Sequence, residues 1–195
     1  MCGLSGFIDS ERHLSEEALR FTVTRMANVL HHRGPDDAGS WVDPRAGVAL
    51  GFRRLAILDL SPEGHQPMVS AGARYVAVFN GEIYNFIELR EELEGLGHRF
   101  RGRSDTEVML ASFLEWGVTD AVTRFNGMFA VALWDCEQRL LHLMRDRVGK
   151  KPLYYGWVNR TFVFGSELKA LRAHPDFRTD VDRDALTLYL QYAYV

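Results

Sequence analysis

The sequence predicts one domain that mixes α-helices with β-strands, an α+β fold, on three observations. Its 195 residues suit one domain with a substantial hydrophobic core. Apolar residues recur at spacings of three and four after Ser15, which is typical of a helix with one buried face. Two apolar runs, at 128–134 and 140–144, are separated by a short polar turn and predict a β-hairpin.

Composition and charge narrow the classes of function. A net charge of −3 gives no electrostatic reason to expect a nucleic acid or an anionic membrane as a partner. No apolar run approaches the roughly 18–20 residues of a membrane span, and the N-terminus lacks the pattern of a secretory signal. Cys2 and Cys136 do not make a disulfide framework. A free thiol suits a reducing compartment, so we expect a cytoplasmic protein.

The N-terminus carries the most reactive group of the chain. Residues 2–8 predict a strand, and Gly3 and Gly6 leave space beside its backbone. Cys2 follows the initiator methionine, and its small side chain permits removal of that methionine. Removal would leave a thiol and a free α-amino group on one residue, which combines a nucleophile with its own base. The alternative is a cysteine without function near the start of the chain.

The first predicted helix ends in the segment 31–36, which reads His-His-Arg-Gly-Pro-Asp. Adjacent histidines suggest a metal site, but helical neighbours such as His31 and His32 point about 100° apart. No further ligand follows at metal-binding spacing. A turn held by a pair between Arg33 and Asp36 is therefore the preferred interpretation, and no metal is predicted.

Arg54 lies among apolar residues of the predicted sheet. Residues 40–42 and 48–50 predict a second hairpin, and residues 54–58 predict a further strand. A buried guanidinium needs an anion, and its planar set of donors suits a carboxylate. That carboxylate belongs either to a structural side chain or to a substrate, and the residues alone favour neither.

Asn80 and Gly81 follow a predicted buried strand at 75–79. An Asn-Gly pair at the end of a strand usually makes a hairpin turn, but here a helix follows, capped by Asn85. The pair is therefore predicted to place a side-chain amide and an exposed backbone N–H at one bend. Two such donors could stabilise an oxyanion.

Asp105 lies at the start of the next predicted helix. Ser104 and Glu107 form a capping box there, which explains both residues structurally. Asp105 is predicted to project freely, either to hold a substrate ammonium or to stabilise the helix dipole. A short helix near Glu167 and a last helix capped by Asp182 complete the predicted elements.

Six segments together resemble the class II glutamine amidotransferases, most closely the N-terminal glutaminase domain of glutamine-hydrolysing asparagine synthetases. These segments are residues 2–3, 32–36, 54–57, 80–85, 104–107, and 145–147 with 151–155. Any one of them is a weak signal, but six in the same order are specific, and the resemblance extends over nearly the whole chain.

The resemblance implies both a fold and a reaction. The fold is a four-layer α/β/β/α sandwich of the N-terminal-nucleophile hydrolase type, with two mostly antiparallel sheets. In the reaction, glutamine is hydrolysed to glutamate and ammonia through a γ-glutamyl thioester on Cys2. Asn80 and Gly81 match the family's oxyanion hole, which makes them catalytic residues together with Cys2.

The resemblance also assigns residues that bind the substrate. Arg54 matches the residue that binds the α-carboxylate, and Asp105 matches the one that holds the α-amino group, with Glu82 nearby. Ile57 and Leu58 match positions whose backbone contacts the substrate. Phe52 and Arg103 stand where the family more often has a histidine and a small or polar residue, but neither position has an assigned chemical role.

The resemblance further implies that residues 1–180 form the glutaminase domain and residues 181–195 begin a link to an ATP-dependent synthetase domain. The Ser-Gly-Gly-x-Asp-Ser loop that binds pyrophosphate in that domain does not occur in the sequence. No cofactor is therefore expected here, and ATP and Mg²⁺ belong to the synthetase domain. The expected partners are L-glutamine and that domain, in the same or a separate chain, and a homodimer is a further option.

Three alternatives stay open at this point. The domain could serve an amidotransferase with another acceptor, such as a sugar, a phosphoribosyl group or a carboxylate in polysaccharide biosynthesis. It could bind glutamine without turnover. It could also hydrolyse simple aliphatic amides.

Overall fold

The computed structural model of the protein describes residues 1–57 and 61–194, and two antiparallel sheets dominate this part of the chain. In chain order the strands are β1 (Gly3–Asp9), β2 (Asp37–Asp43), β3 (Val48–Arg54), β4 (Met68–Val69), β5 (Tyr75–Ile83), β6 (Gly127–Asp135), β7 (Leu140–Arg145), β8 (Tyr154–Val158) and β9 (Thr161–Gly165). One sheet has the order β2-β3-β1-β9-β8, and the other has the order β4-β5-β6-β7.

The described part of the chain has six α-helices, and the first five of them cover the outer faces of the two sheets. The six helices are α1 (Glu16–Asn28), α2 (Phe86–Gly95), α3 (Asp105–Trp116), α4 (Val118–Arg124), α5 (Leu168–Arg172) and α6 (Arg183–Tyr192). Helices α1 and α5 pack on the five-stranded sheet, whereas α2, α3 and α4 share a core with the four-stranded sheet. A third core fills the space between the two sheets. The predicted four-layer α/β/β/α sandwich is confirmed.

Alternation along β5 shows why the sequence of this strand is a continuous apolar run. Tyr75, Ala77 and Phe79 pack against the helices, and Val76 and Val78 face the other sheet. Successive side chains of a strand point to opposite faces, and here both faces are buried, so both sets are apolar. The next side chain facing the other sheet, one step beyond Val78, belongs to Asn80.

The first helix begins as predicted but ends early. Ser15 caps it by accepting a hydrogen bond from the Ala18 N–H at 3.3 Å, and its buried face includes Leu19, Val23 and Met26. The regular helix stops at Asn28 instead of continuing to Gly34, and residues 29–33 form turns. The predicted hairpin at 40–42 and 48–50 is confirmed by the pairing of β2 with β3.

The predicted strand at 54–58 is wrong, because β3 ends at Arg54. Beyond it, the Leu55 N–H donates to the thiol of Cys2 and the Ala56 N–H donates to the carboxylate of Asp36. These side chains take the backbone donors that a neighbouring strand would otherwise use. Leu58 lies outside the described residues.

The predicted bend at Asn80 and Gly81 is also wrong. Strand β5 continues to Ile83, and Gly81 pairs with Phe129 of β6. Glycine suits this position because a Cβ would collide with the Met128 carbonyl and with Phe129. The Asn-Gly pair therefore marks a close approach of two strands, which a local turn rule does not capture.

Side-chain caps of the central helices differ in part from expectation. The Asn85 side chain does not cap α2; it accepts from the Asn126 N–H and donates to the Arg124 carbonyl. Ser104 does cap α3, but the carboxylate of Glu107 accepts from the backbone of residues 101 and 102. Only half of the predicted capping box therefore forms.

Helix α6 is capped by Asp182 as predicted, and none of its residues is buried. Its exposed apolar side chains include Leu190 and Tyr189. None of the helices in the described part of the chain combines the length and apolar character that crossing a bilayer requires.

Candidate active site

Cys2 lies directly before β1, where its side chain meets the end of β3. Its Sγ accepts a hydrogen bond from the Leu55 N–H at 3.3 Å and lies 3.5 Å from the Leu55 carbonyl oxygen. Burial raises the pKa of the Cys2 thiol, opposed by the Leu55 N–H and by the positive charges of the N-terminus, Arg54 and Lys151. The thiol is thus sheltered but surrounded by groups that favour its anion.

Arg33 holds the backbone of Cys2. Its Nε donates to the Cys2 carbonyl at 2.9 Å, and its Nη1 donates to Glu167 at the same distance. Burial alone would raise the pKa of Glu167, but hydrogen bonds from Arg33, Lys169 and His32 outweigh it and lower the pKa to about 2. A charged network therefore fixes the position of the Cys2 backbone.

The pair predicted between Arg33 and Asp36 is wrong, because Arg33 bonds to Cys2 and Glu167, whereas Asp36 bonds to the backbone after β3. Asp36 accepts from the Ala56 N–H at 2.9 Å, and its own backbone N–H donates to the Arg54 carbonyl at 3.0 Å. Asp36 thus shapes the segment that contacts the Cys2 thiol. No group of three or more metal-binding side chains occurs within the described residues.

Arg54 is 9% exposed, and its side chain reaches Ser61. Its Nη1 donates to the Ser61 carbonyl at 3.1 Å. Gly64 packs directly on the guanidinium, so closely that a Cβ there would overlap it. The guanidinium also lines the cavity that contains Cys2, where it can meet an anionic group.

Asn80 presents an unpaired amide to the same cavity. It is 1% exposed, and neither atom of its side-chain amide has a hydrogen-bond partner in the described structure. Leaving a buried amide unpaired costs about 1–3 kcal/mol, and such groups in native structures call for a reason. A ligand atom that accepts a hydrogen bond from the Asn80 amide would explain why the empty protein leaves this amide unpaired.

The Gly81 N–H points to the free edge of β5. Along a paired strand the N–H groups alternate between its two edges. The Phe79 N–H donates to Gln66 Oε1 at 2.6 Å and the Ile83 N–H donates to Asp105 Oδ2 at 2.9 Å, both on the edge away from β6. The N–H of Gly81 lies between these two on that edge, beyond the end of β4.

The prediction that Asp105 projects freely is wrong. Asp105 is 5% exposed, and its carboxylate accepts from the Ile83 N–H at the end of β5. Burial raises the pKa of Asp105 to about 6, with a smaller contribution from the charge of Glu82, against lowering by the N–H groups of Ile83 and Thr106. A buried carboxylate with a raised pKa gains from a cationic ligand.

One cavity of about 80 Å³ brings the predicted residues together. Its walls include all the predicted site residues that lie in the described part of the chain, namely Cys2, Arg54, Ile57, Asn80, Gly81, Glu82 and Asp105. Residues as far apart as 2 and 105 therefore meet at the junction of both sheets with the start of α3.

Gln66 and Lys151 line the cavity but were not predicted as site residues. Gln66 is buried, and its Nε2 donates to Thr106 Oγ1 at 3.4 Å. No local pattern identifies Gln66, because it lies in an irregular loop. Lys151 belongs to residues 151–155, one of the segments that carry the family resemblance. This was the sequence signal that could have pointed to it.

Comparison with known proteins decides the family. The model of a family described as a glutamine amidotransferase domain matches residues 1–195. The chain belongs to this glutamine amidotransferase domain family. The predicted family is thus confirmed, and the catalytic roles of individual residues stay predictions.

Curated relatives of this glutamine amidotransferase domain include two proteins of Bacillus subtilis. Asparagine synthetase [glutamine-hydrolyzing] 3 is 44% identical over 96% of this chain, and asparagine synthetase [glutamine-hydrolyzing] 1 is 39% identical over 100% of it. The chain spans about 30% of the length of either relative. It therefore corresponds to the glutamine amidotransferase part of these proteins.

A solved structure supports the fold. The glutamine phosphoribosylpyrophosphate amidotransferase of Bacillus subtilis superposes with a TM-score of 0.71 at 22% identity, covering 88% of this chain and 43% of that chain. The likeness shows that the two share the sandwich architecture described above.

Proposed function

We propose that this domain hydrolyses L-glutamine to L-glutamate and ammonia through a thioester on Cys2. The observation that carries the proposal is the joint placement, around one cavity, of a thiol, an unpaired amide and two opposite charges. Asparagine synthesis from aspartate is the proposed use of the ammonia, supported by the names of the relatives.

Arg54 and Asp105 provide the proposed selectivity for an amino acid. The guanidinium binds the α-carboxylate of glutamine, and the carboxylate of Asp105 binds its α-ammonium, with Glu82 adding negative charge nearby. An amide without these charges would offer no opposite charge to either buried group, which disfavours its binding by orders of magnitude. A relative described as an amidase, from Gibberella zeae, is 34% identical over 89% of this chain, so aliphatic amides belong in the test set.

The proposed reaction begins once Met1 has been removed. The α-amine of Cys2 accepts the thiol proton, and the thiolate attacks the side-chain amide carbon. The Asn80 amide and the Gly81 N–H donate to the oxyanion that forms. The protonated amine then gives its proton to the departing ammonia, and water hydrolyses the thioester with the amine acting again as base.

The proposal assigns no metal or cofactor to residues 1–180, which we take as the glutaminase unit. ATP and Mg²⁺ belong in the proposed synthetase domain, which residues 181–195 would join or approach. A cytoplasmic location follows from the need to keep the Cys2 thiol reduced. The acceptor could instead be another carboxylate or a sugar, and assays of the complete protein with aspartate decide between them.

The decisive experiment measures intact mass together with glutamate release. Purified protein should lack the mass of Met1, and a glutamine-like electrophile should add to Cys2. Cys2→Ala should abolish glutamate release, whereas Cys136→Ala should retain it, because Cys136 lies outside the cavity. Turnover of glutamine by protein that still carries Met1, or by Cys2→Ala, would contradict the mechanism.

A further inference from the structure

Lys151 is a buried cation in the active-site cavity that the mechanism above does not use. It lies in the loop between β7 and β8, is 6% exposed and lines the cavity beside Cys2. Lysine is rarely buried unless it is paired. Its burial here therefore needs a local reason.

The surrounding loop is built to hold this residue. The carboxylate of Asp146 accepts from the backbone N–H groups of Lys150 at 2.9 Å, Lys151 at 3.1 Å and Phe129 at 3.2 Å. Arg145 Nε donates to the Lys151 carbonyl at 2.6 Å. Arg145 and Asp146 of the sequence motif thus fix the backbone of Lys151. Its side chain is not used in these bonds and lines the cavity.

The ammonium of Lys151 has a weak partner. Its Nζ lies 3.4 Å from the Sδ of Met1, and a thioether is a poor acceptor. No carboxylate forms an ion pair with it among the described residues. Removal of Met1 would take this contact away and leave the ammonium facing the space around the Cys2 thiol and α-amine.

We propose that Lys151 is a positioning residue that stabilises the thiolate of Cys2 in the processed enzyme. The proton that leaves the thiol goes to the α-amine, and the Lys151 ammonium donates a hydrogen bond to the sulfur anion without losing its own proton. This inference rests on the proposed function, in which Cys2 is the nucleophile. The other ionisable groups of the cavity are the N-terminal amine, Arg54, Glu82 and Asp105.

The charge of Lys151 acts in the same direction as that of Arg54, since both lower the pKa of the thiol against the effect of burial. Arg54 is committed to the substrate carboxylate in the proposed mechanism, and a bound carboxylate neutralises part of its charge. Lys151 has no such anion, so its effect on the sulfur persists in the substrate complex.

The test measures the alkylation of Cys2 by iodoacetamide from pH 5 to pH 10. All variants carry Cys136→Ser, so that Cys2 is the one thiol that iodoacetamide can alkylate. Intact mass verifies the loss of Met1. In Lys151→Met the rate at pH 7 should fall roughly three- to tenfold, and the profile should move to higher pH. Lys151→Arg should restore the rate, and Lys150→Met, at an exposed neighbour, should leave it unchanged.

An unchanged alkylation profile in Lys151→Met would overturn the proposal, as would equal profiles in Lys151→Met and Lys151→Arg. If Lys151→Met does not fold, Lys151→Gln serves the same comparison, because it removes the charge and keeps a polar end. Alkylation needs no glutamine, so a wild-type protein that releases no glutamate would contradict the proposed function independently.

Discussion

Burial governs the chemistry of single residues in this cavity. Asn80 and Asp105 are both nearly inaccessible, and both line the cavity that contains Cys2. An unpaired buried amide and a buried carboxylate with a raised pKa are unfavourable in the empty protein. Both become favourable when a substrate supplies an oxyanion and an ammonium.

Glutamine binding should depend on the protonation of Asp105. Its pKa is about 6 in the folded protein against an ordinary value of 3.8, so folding favours the protonated form, and this carboxylate costs stability as the pH rises through that window. Binding of the α-ammonium requires the charged form. We expect the affinity of the Cys2→Ala protein for glutamine, measured by calorimetry, to weaken as the pH falls below about 6.

The double variant Cys2→Ala, Asp105→Asn should bind glutamine weakly at every pH and without this dependence. Glu82→Gln in the same background is the matched control. It should keep the dependence but move its midpoint to lower pH, because the Glu82 charge raises the pKa of Asp105. Persistence of the full pH effect in the Asp105→Asn protein would contradict the assignment.

Loss of the Asn80 amide should slow the chemical step. Asn80→Ala removes one proposed oxyanion donor, so kcat for glutamate release should fall roughly 10²- to 10³-fold, with a smaller change in KM. Asn85→Ala is the control, because the Asn85 side chain bonds to the backbone of residues 124 and 126 and does not line the cavity. It should lower the Tm and keep kcat. A kcat within tenfold of wild type in Asn80→Ala would refute the donor role.

At the scale of elements, the site depends on where regular structure stops. Strand β3 ends at Arg54, and the Leu55 N–H directly after it donates to the thiol of Cys2. Strand β5 extends beyond its partner β4, which leaves one edge of it open. Each end exposes backbone or side-chain donors that a longer ladder would have consumed.

Substitution of Gly64 should weaken glutamine binding while preserving the fold. A Cβ at this position overlaps the Arg54 guanidinium, which is the flexible end of a side chain and can move. In Gly64→Ala we expect KM for glutamine to rise roughly 10- to 100-fold, as for a lost charged hydrogen bond, with little change in kcat. Steady-state kinetics decide this.

Gly95→Ala is the control for Gly64→Ala, because a Cβ at Gly95 meets open space. This position lies in α2, where alanine should stabilise the helix slightly. An unchanged KM in Gly64→Ala would mean that the guanidinium does not need its present position for binding.

For the whole molecule, Glu167 joins parts of the chain that are far apart in sequence. It is the N-terminal flanking residue of α5 and contacts His32 and Arg33, more than 130 residues away, while Arg33 holds the start of β1. The outer helical layer and Cys2 are therefore coupled through one carboxylate.

Removal of the Glu167 charge should destabilise the protein at neutral pH. The folded pKa of about 2 lies below the ordinary value of 4.5, so this contribution is present above 4.5 and is lost as the pH falls toward 2. Glu167→Gln should lose about 1–2 kcal/mol of unfolding free energy at pH 7. The difference from wild type should shrink in urea unfolding below pH 4.5.

Glu94→Gln is the comparison for Glu167→Gln, since Glu94 pairs with Arg90 on an exposed helix face. Its loss should cost only a few tenths of a kcal/mol. Equal effects of the two substitutions, or a difference from wild type that does not change with pH, would show that the Glu167 network does not stabilise the fold as argued.

The sequence by itself determined the family and most of the elements, and it predicts that Cys2 is the nucleophile. Helix starts at Ser15, Ser104 and Asp182 were readable because capping depends on residues within one turn. The hairpin of β6 and β7 could also be predicted, because its two strands are neighbours in the sequence. The positions of Arg54 and Asp105 came from six motifs in order, and the structure brings both to one cavity.

Only the tertiary structure decided how those residues acquire their environments. The extension of β5 through Gly81, the end of β3 at Arg54, and the contacts of Gln66 and Lys151 all depend on partners from other elements. Local rules failed there because a distant side chain or strand satisfied the backbone donors. Burial and long-range hydrogen bonds, which set the pKa values of Cys2, Asp105 and Glu167, exist only once the layers have packed.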